Sequence, residues 1–209
     1  MPGRAQLLAL MTLQTAAFVA IGVALWWFSG RPVGAFANLD LDGVVLGGVL
    51  AAILIAAAAA VFFGLPKLSE YLIRAQAENF SFLEKPMPFW ALIWISLGAG
   101  IGEEALFRGG VQTLAGDYLG APLAILVASG LFAVVHFAKP LVAAIIFVIG
   151  VVFGCVYWIT DSLLAVMVGL VRIGLGLTGS GWVSYLMSRP VLRGFTSAAA
   201  LLIVLTQIP

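Results

Sequence analysis

The chain has 209 residues, 63% of them hydrophobic and 9% charged, with a formal net charge of +1, and its mean hydropathy is +1.17. A soluble domain carries charge on about a quarter of its residues, so ten basic and nine acidic side chains cannot solvate a globular surface of this size. These values exclude a soluble enzyme and a nucleic-acid binder, and they indicate an integral membrane protein.

Apolar stretches near the roughly twenty residues needed to cross about 30 Å of hydrocarbon run over residues 5–28, 43–64, 88–118, 120–138, 141–160, 162–178 and 194–208. They predict an all-α, polytopic transmembrane helix bundle with about 6–7 spans. The first run follows Arg4 and precedes Ala35-Phe36-Ala37, as a signal peptide would, but at 24 residues it is too long for one; a retained helix is predicted. Residues 67–85 are hydrophilic, with Lys67, Glu70, Arg74 and Glu78 along one helical face and Tyr71 and Leu72 on another, the pattern of an interfacial helix. The third run is too long for one perpendicular crossing, so it must tilt, break or begin outside the bilayer. The sixth is short and contains Arg172. Small-residue stretches such as Ala56–Ala60 and Gly47-Gly48 permit close helix packing. No internal repeat of the kind that builds inverted-repeat transporters is evident. Cys155, the single cysteine, cannot form an internal disulfide.

With strict alternation of the spans, Arg4, Lys67, Arg74, Lys85, Lys139, Arg189 and Arg193 fall on one side and Arg31 on the other. The positive-inside rule makes the first side, and the N-terminus, cytoplasmic, and the chain is expected in the plasma (inner) membrane.

Charges inside the spans point to chemistry. Glu103, Glu104 and Arg108 interrupt the third run, and each costs roughly 2.5–3.5 kcal/mol at the centre of a bilayer, which makes intramembrane ionisable groups functional-site candidates. Glu104 and Arg108 are spaced i, i+4 with the acid first, the favourable order for a helical ion pair. Glu103 is left over, so the two acids can take different protonation roles. His136, the only histidine, stands in the fourth run. If the third and fourth runs form a hairpin turning at Leu119–Gly120, Glu103 lies 16 residues before the turn and His136 16 after it. Both then sit at one level, about 24 Å from the turn at 1.5 Å per residue. A carboxylate and an imidazole brought together there could polarise a water or share a metal ion. A proton-coupled transporter relay is a competing reading of the same residues.

Glu103-Glu104-x-x-x-Arg108 followed by Phe132-x-x-x-His136 resembles the paired motifs of the CPBP intramembrane proteases, relatives of the CAAX prenyl endopeptidase and of bacteriocin-processing and immunity proteins. Phe107-Arg108-Gly109 with Gln112, and the run from Gly150 through Gly154 to Thr160-Asp161-Ser162-Leu163, agree with it. The resemblance divides a single transmembrane domain, 1–209, into a motif-bearing core at 88–169 and a divergent part at 170–209.

The resemblance implies a membrane-embedded endopeptidase acting near the cytoplasmic face on a peptide or protein substrate, prenylated or not. In it Glu103 activates the attacking water, Glu104 and Arg108 secure the helix, and His136 assists Glu103 or binds a metal. It leaves open metalloprotease and metal-independent chemistry. The family's third motif, a histidine followed four residues later by Asn or a similar residue, would fall near Leu170 and Gly174, where neither residue can serve. Arg172 is a poor substitute, since residues two apart on a helix point to different sides. A Zn²⁺ with three protein ligands could therefore be held only by Glu103, Glu104 and His136. The missing motif also supports a catalytically inactive relative that binds membrane peptides or partner helices. Either a shifted reading frame or divergence would end the resemblance near Gly169.

Overall fold

The computed structural model describes residues 4–37, 41–79 and 88–169. The chain divides into two compact units, 1–174 and 175–209, and the described residues all lie in the first. They are helical with no strand: α1 (Arg4–Phe28), α2 (Leu41–Gly64), α3 (Pro66–Asn79), α4 (Phe89–Glu104), a π-helical segment (Ala105–Gln112), α5 (Thr113–Leu119), α6 (Ala121–Val134) and α7 (Pro140–Thr160). Residues 163–169 form a further helical stretch. Helices α1, α2 and α7 are long and apolar enough to cross a membrane. In lipid every backbone polar group must be satisfied within the segment, which is why the apolar runs resolve into helices.

Local chemistry sets the breaks. Pro66 opens α3 directly after α2 ends at Gly64, a position where the missing proline N–H costs nothing. Helix α3 is amphipathic as expected: Glu70 and Arg74 are exposed and 3.9 Å apart, while Ser69 is buried and donates to the Phe62 carbonyl at 2.9 Å. Helix α4, the π segment and α5 are 16, 8 and 7 residues laid end to end, so the third apolar run continues as one helical rod and changes its winding midway. Gly120, at φ +75°, turns the chain from α5 into α6, at the position where the sequence placed the hairpin.

One boundary differs from expectation. The fourth run reads as apolar to Ala138, but α6 ends at Val134 and Phe137 takes φ +44°. Pro140 cannot supply an N–H to continue the helix and instead starts α7. At about 1.5 Å per residue, the 14 residues of α6 fall short of a full crossing. The sixth apolar run is described only through residue 169, and the seventh lies outside the described residues.

The bundle is held by small residues where helices cross. Gly22 of α1 lies against the backbone of Ala105 and Leu106, and a Cβ on Gly110 would stand 2.9 Å from Gly22 Cα. A Cβ on Gly150 of α7 would come 3.0 Å from Ser129 Cβ of α6. Trp26, Phe36, Leu50, Phe153, Leu163 and Val166 form the core that joins α1, α2, α7 and the 163–169 helix. In lipid such packing, not exclusion of water, drives association.

Gly22→Ala would force α1 away from a backbone that has no side chain to yield, so a loss of about 1–3 kcal/mol or more is expected. Gly34→Ala, with nothing within 4 Å of its Cβ position, should be neutral. Thermal unfolding of both variants in detergent checks the pair.

Candidate functional site

Glu104, Arg108 and Gln112 lie four residues apart along the rod and are buried, with 0%, 1% and 5% exposure. On an ideal α-helix four-residue steps drift round the axis; here the steps run through the wider π segment, a form frequent at functional sites. Thr113 Oγ1 donates to the Arg108 carbonyl at 2.9 Å across that segment, taking up a backbone acceptor.

Arg108 is the centre of this column. Its Nη1 stands 3.1 Å from Glu104 Oε1, yet neither atom has a partner in hydrogen-bond geometry, so the contact is ionic without an aligned N–H. Nη2 donates to the Gly150 carbonyl at 2.8 Å. The guanidinium lies over two rings, with Cζ 4.9 Å from the centroid of Phe132 and 5.7 Å from that of Phe153, within the range of cation–π attraction. One step along, Gln112 Nε2 donates to the Gly154 carbonyl at 2.9 Å. Gly154 lets Gln112 approach the backbone of α7, since a Cβ there would lie 2.8 Å from Gln112 Oε1.

Glu103 is the next residue round the helix from Glu104 and leaves the column for the bundle's edge. Its Oε1 stands 4.0 Å from His136 Nε2, and the two side chains are 19% and 32% exposed. His136 follows α6 in the turn that carries Phe137. Its Nδ1 lies 2.6 Å from the Phe132 carbonyl, which can only accept. That contact places the ring hydrogen on Nδ1 of the neutral imidazole and leaves the Nε2 lone pair toward Glu103. The ring also packs edge-on against Phe132 at 4.7 Å, and Phe132 against Phe107 at 5.2 Å. A 4.0 Å gap is too long for a direct hydrogen bond and suits a bridging water.

Glu103 and His136 thus come together, while Glu104 is turned inward to Arg108. Among the described residues no group of three His, Cys, Asp or Glu side chains is placed to hold one metal ion. Two ligands do not make the three-ligand zinc site expected of Glu103, Glu104 and His136, so no step is derived through a metal. Leu170, Arg172 and Gly174 lie outside the described residues. A cavity of about 520 Å³ lies at the other end of the rod, where Arg31, Gln112, Asp117, Tyr157 and Asp161 line it. There Arg31 makes two hydrogen bonds to Asp117, at 2.8 and 2.9 Å, and that carboxylate raises the guanidinium pKa above its ordinary value. Neither Glu103 nor His136 lines that cavity. Gln112 was named from sequence only as agreeing with the resemblance, with no role given, and the carbonyl of Phe132 was not singled out. Gln112 was legible as the third member of an i, i+4, i+8 polar stripe, whereas a backbone acceptor leaves no sequence signal.

Residues 85–169 match the family model described as type II CAAX prenyl endopeptidase Rce1-like. No curated protein and no solved structure matches the chain.

Removing the Glu104 carboxylate strands Arg108 without a counter-charge. Glu104→Ala should cost roughly 3–5 kcal/mol, the usual penalty for breaking a buried pair, and Glu103→Ala much less, because Glu103 is partly exposed and 4.0 Å from its nearest ionic partner. Detergent melting curves of the two variants, side by side, test the asymmetry.

Proposed function

We propose that this chain, whose residues 85–169 belong to the Rce1-like family of type II CAAX prenyl endopeptidases, is a membrane-embedded endopeptidase that uses Glu103 to activate water near the cytoplasmic face. The observation that carries the reading is the 4.0 Å approach of Glu103 to His136, with the imidazole hydrogen committed to Phe132. A carboxylate and a ring nitrogen lone pair, both accessible, flank a gap of one water, the arrangement general-base catalysis needs.

In this reading the water oxygen bonds to the carbonyl carbon of the scissile peptide while its proton passes to Glu103 and the C=O pair moves onto oxygen. The carbonyl then re-forms, the C–N bond breaks, and the proton returns to the leaving nitrogen. One water is consumed, and a carboxylate and an amine are released. His136 takes the second hydrogen bond of the water. Glu104, Arg108 and Gln112 act as positioning residues that fix the rod against α7. The chemistry belongs to residues 88–169, with 170–209 as a divergent C-terminal part. The substrate is a membrane-associated protein or peptide, and a prenylated C-terminus fits the family. The basic-residue asymmetry places the N-terminus in the cytoplasm and suits a plasma-membrane protein. An inactive, peptide-binding relative is the second reading, and the lack of a suitable residue at Leu170 favours it.

Glu103→Gln keeps shape but cannot take a proton, so it should abolish cleavage of prenylated and unprenylated test peptides with an unchanged melting temperature. His136→Ala should reduce the rate by about 10²–10⁴-fold. Cleavage by Glu103→Gln at the wild-type rate would remove the water-activation role. In the topology, a reporter fused after Tyr118 should read out on the non-cytoplasmic side, and a cytoplasmic readout would reverse the orientation.

A further inference from the structure

Helix α1 lies outside the stretch that matches the family, yet it supplies part of the wall beside Glu103. It is apolar over its length except for a few polar side chains, among them Gln14 and Thr15. A carboxamide in such a span is costly unless it is hydrogen-bonded. Thr15 satisfies its own hydroxyl by donating to the Met11 carbonyl at 2.9 Å. Gln14 is exposed and makes no hydrogen bond to another described residue.

Met11, Gln14, Thr15 and Phe18 are spaced i, i+3, i+4, i+7, one face of a helix. That face meets α4 where Gly98 and Gly102 carry no side chain. A Cβ on Gly98 would stand 2.7 Å from Thr15 Oγ1, and one on Gly102 would stand 3.2 Å from Thr15 Cα. With Thr15 seated in this notch, Gln14 borders the strip of α4 that ends in Glu103. Between the two helices remains a cavity of about 20 Å³ lined by Gln14, Thr15 and Glu103, with Met11 and Phe18 as apolar walls.

Size and chemistry together define the occupant. A single water needs about 10–15 Å³ by this measure and two to four polar partners, so there is room for one water and not for a larger ligand. The Glu103 carboxylate accepts one O–H and the Gln14 carbonyl can accept the other. We infer that this cavity is a water site and that Gln14 is a positioning residue: through this water, a different one from the water between Glu103 and His136, it holds the Glu103 carboxylate in place. The inference rests on the endopeptidase reading and adds to it a residue from α1.

Gln14→Met keeps the length of the side chain and removes both hydrogen-bonding groups. Misplacing a catalytic group by about 1 Å can cost 10²-fold. The variant should therefore lose about 10- to 100-fold in kcat, with KM within about twofold and an unchanged melting temperature, and Gln14→Asn should recover part of the loss. An infrared band sensitive to H₂¹⁸O, from a strongly hydrogen-bonded internal water, should be present in the wild type and absent in Gln14→Met; this readout needs no turnover. Wild-type kcat in Gln14→Met alongside a dead Glu103→Gln overturns the role of Gln14 and leaves the endopeptidase reading standing. Activity in Glu103→Gln brings down that reading instead. A water band that is missing from the wild type, or that persists in Gln14→Met, overturns the water site whether or not the protein cleaves.

Discussion

A guanidinium inside a lipid-embedded bundle must have its charge met by protein, and Arg108 imposes that demand on everything around it. Water cannot help at 1% exposure, and an unpaired ion in so low a dielectric costs several kcal/mol. The answer draws on three helical elements. Glu104 at the end of α4 supplies the counter-charge, Gly150 of α7 offers a carbonyl at 2.8 Å, and Phe132 of α6 presents its ring face. Meeting one charge therefore fixes the rod, α6 and α7 relative to one another. Gln112 repeats the grip a turn later on Gly154.

That registration has a consequence at the edge of the bundle. Phe132 both covers Arg108 and offers its carbonyl to His136, so the element that balances the buried charge also fixes the orientation of the imidazole. Adjacent residues on a helix are about 100° apart, which sends Glu104 inward and Glu103 outward from the same turn. Two acids of identical chemistry thus acquire opposite environments, one at 0% exposure against an arginine and one open beside a histidine. Environment separates the acids that a sequence motif lists together, as in other paired-carboxylate sites.

Close approach of backbones is the second constraint. The π segment carries Gly109 and Gly110 side by side, the first against the ring of Phe36 and the second against Gly22 of α1. Helix α1 reaches the rod along its length, at Gly22 with the π segment and at Thr15 with Gly98 and Gly102. The contact at Thr15 brings polar atoms of α1 beside Glu103, although the two are almost ninety residues apart in sequence. Packing through small residues is what makes such proximity possible in lipid, where apolar side chains gain nothing from meeting one another instead of acyl chains.

Much of this was written along the chain. Mean hydropathy and run lengths determine an all-helical membrane protein, because a backbone in hydrocarbon has no other way to satisfy its polar groups. The i, i+4 spacing determines that Glu104 and Arg108 share a helical face, and equal distances from Gly120 predict Glu103 and His136 at one level, although the π segment and the end of α6 at Val134 break the uniform rise behind that expectation. What sequence leaves open is rotation and lateral placement. The end of α6 at Val134 depends on the left-handed turn at Phe137 and on Pro140 starting the next helix, and apolar residues hide that break. Whether Glu104 joins Glu103 and His136 around a metal or turns to Arg108 depends on where α7 presents the Gly150 carbonyl. That Gln14 borders Glu103 depends on Thr15 finding the notch at Gly98 and Gly102. Spacing along a helix is a local property of the backbone; which side of one helix meets which side of another is set by steric fit between them, and only the tertiary structure decides it.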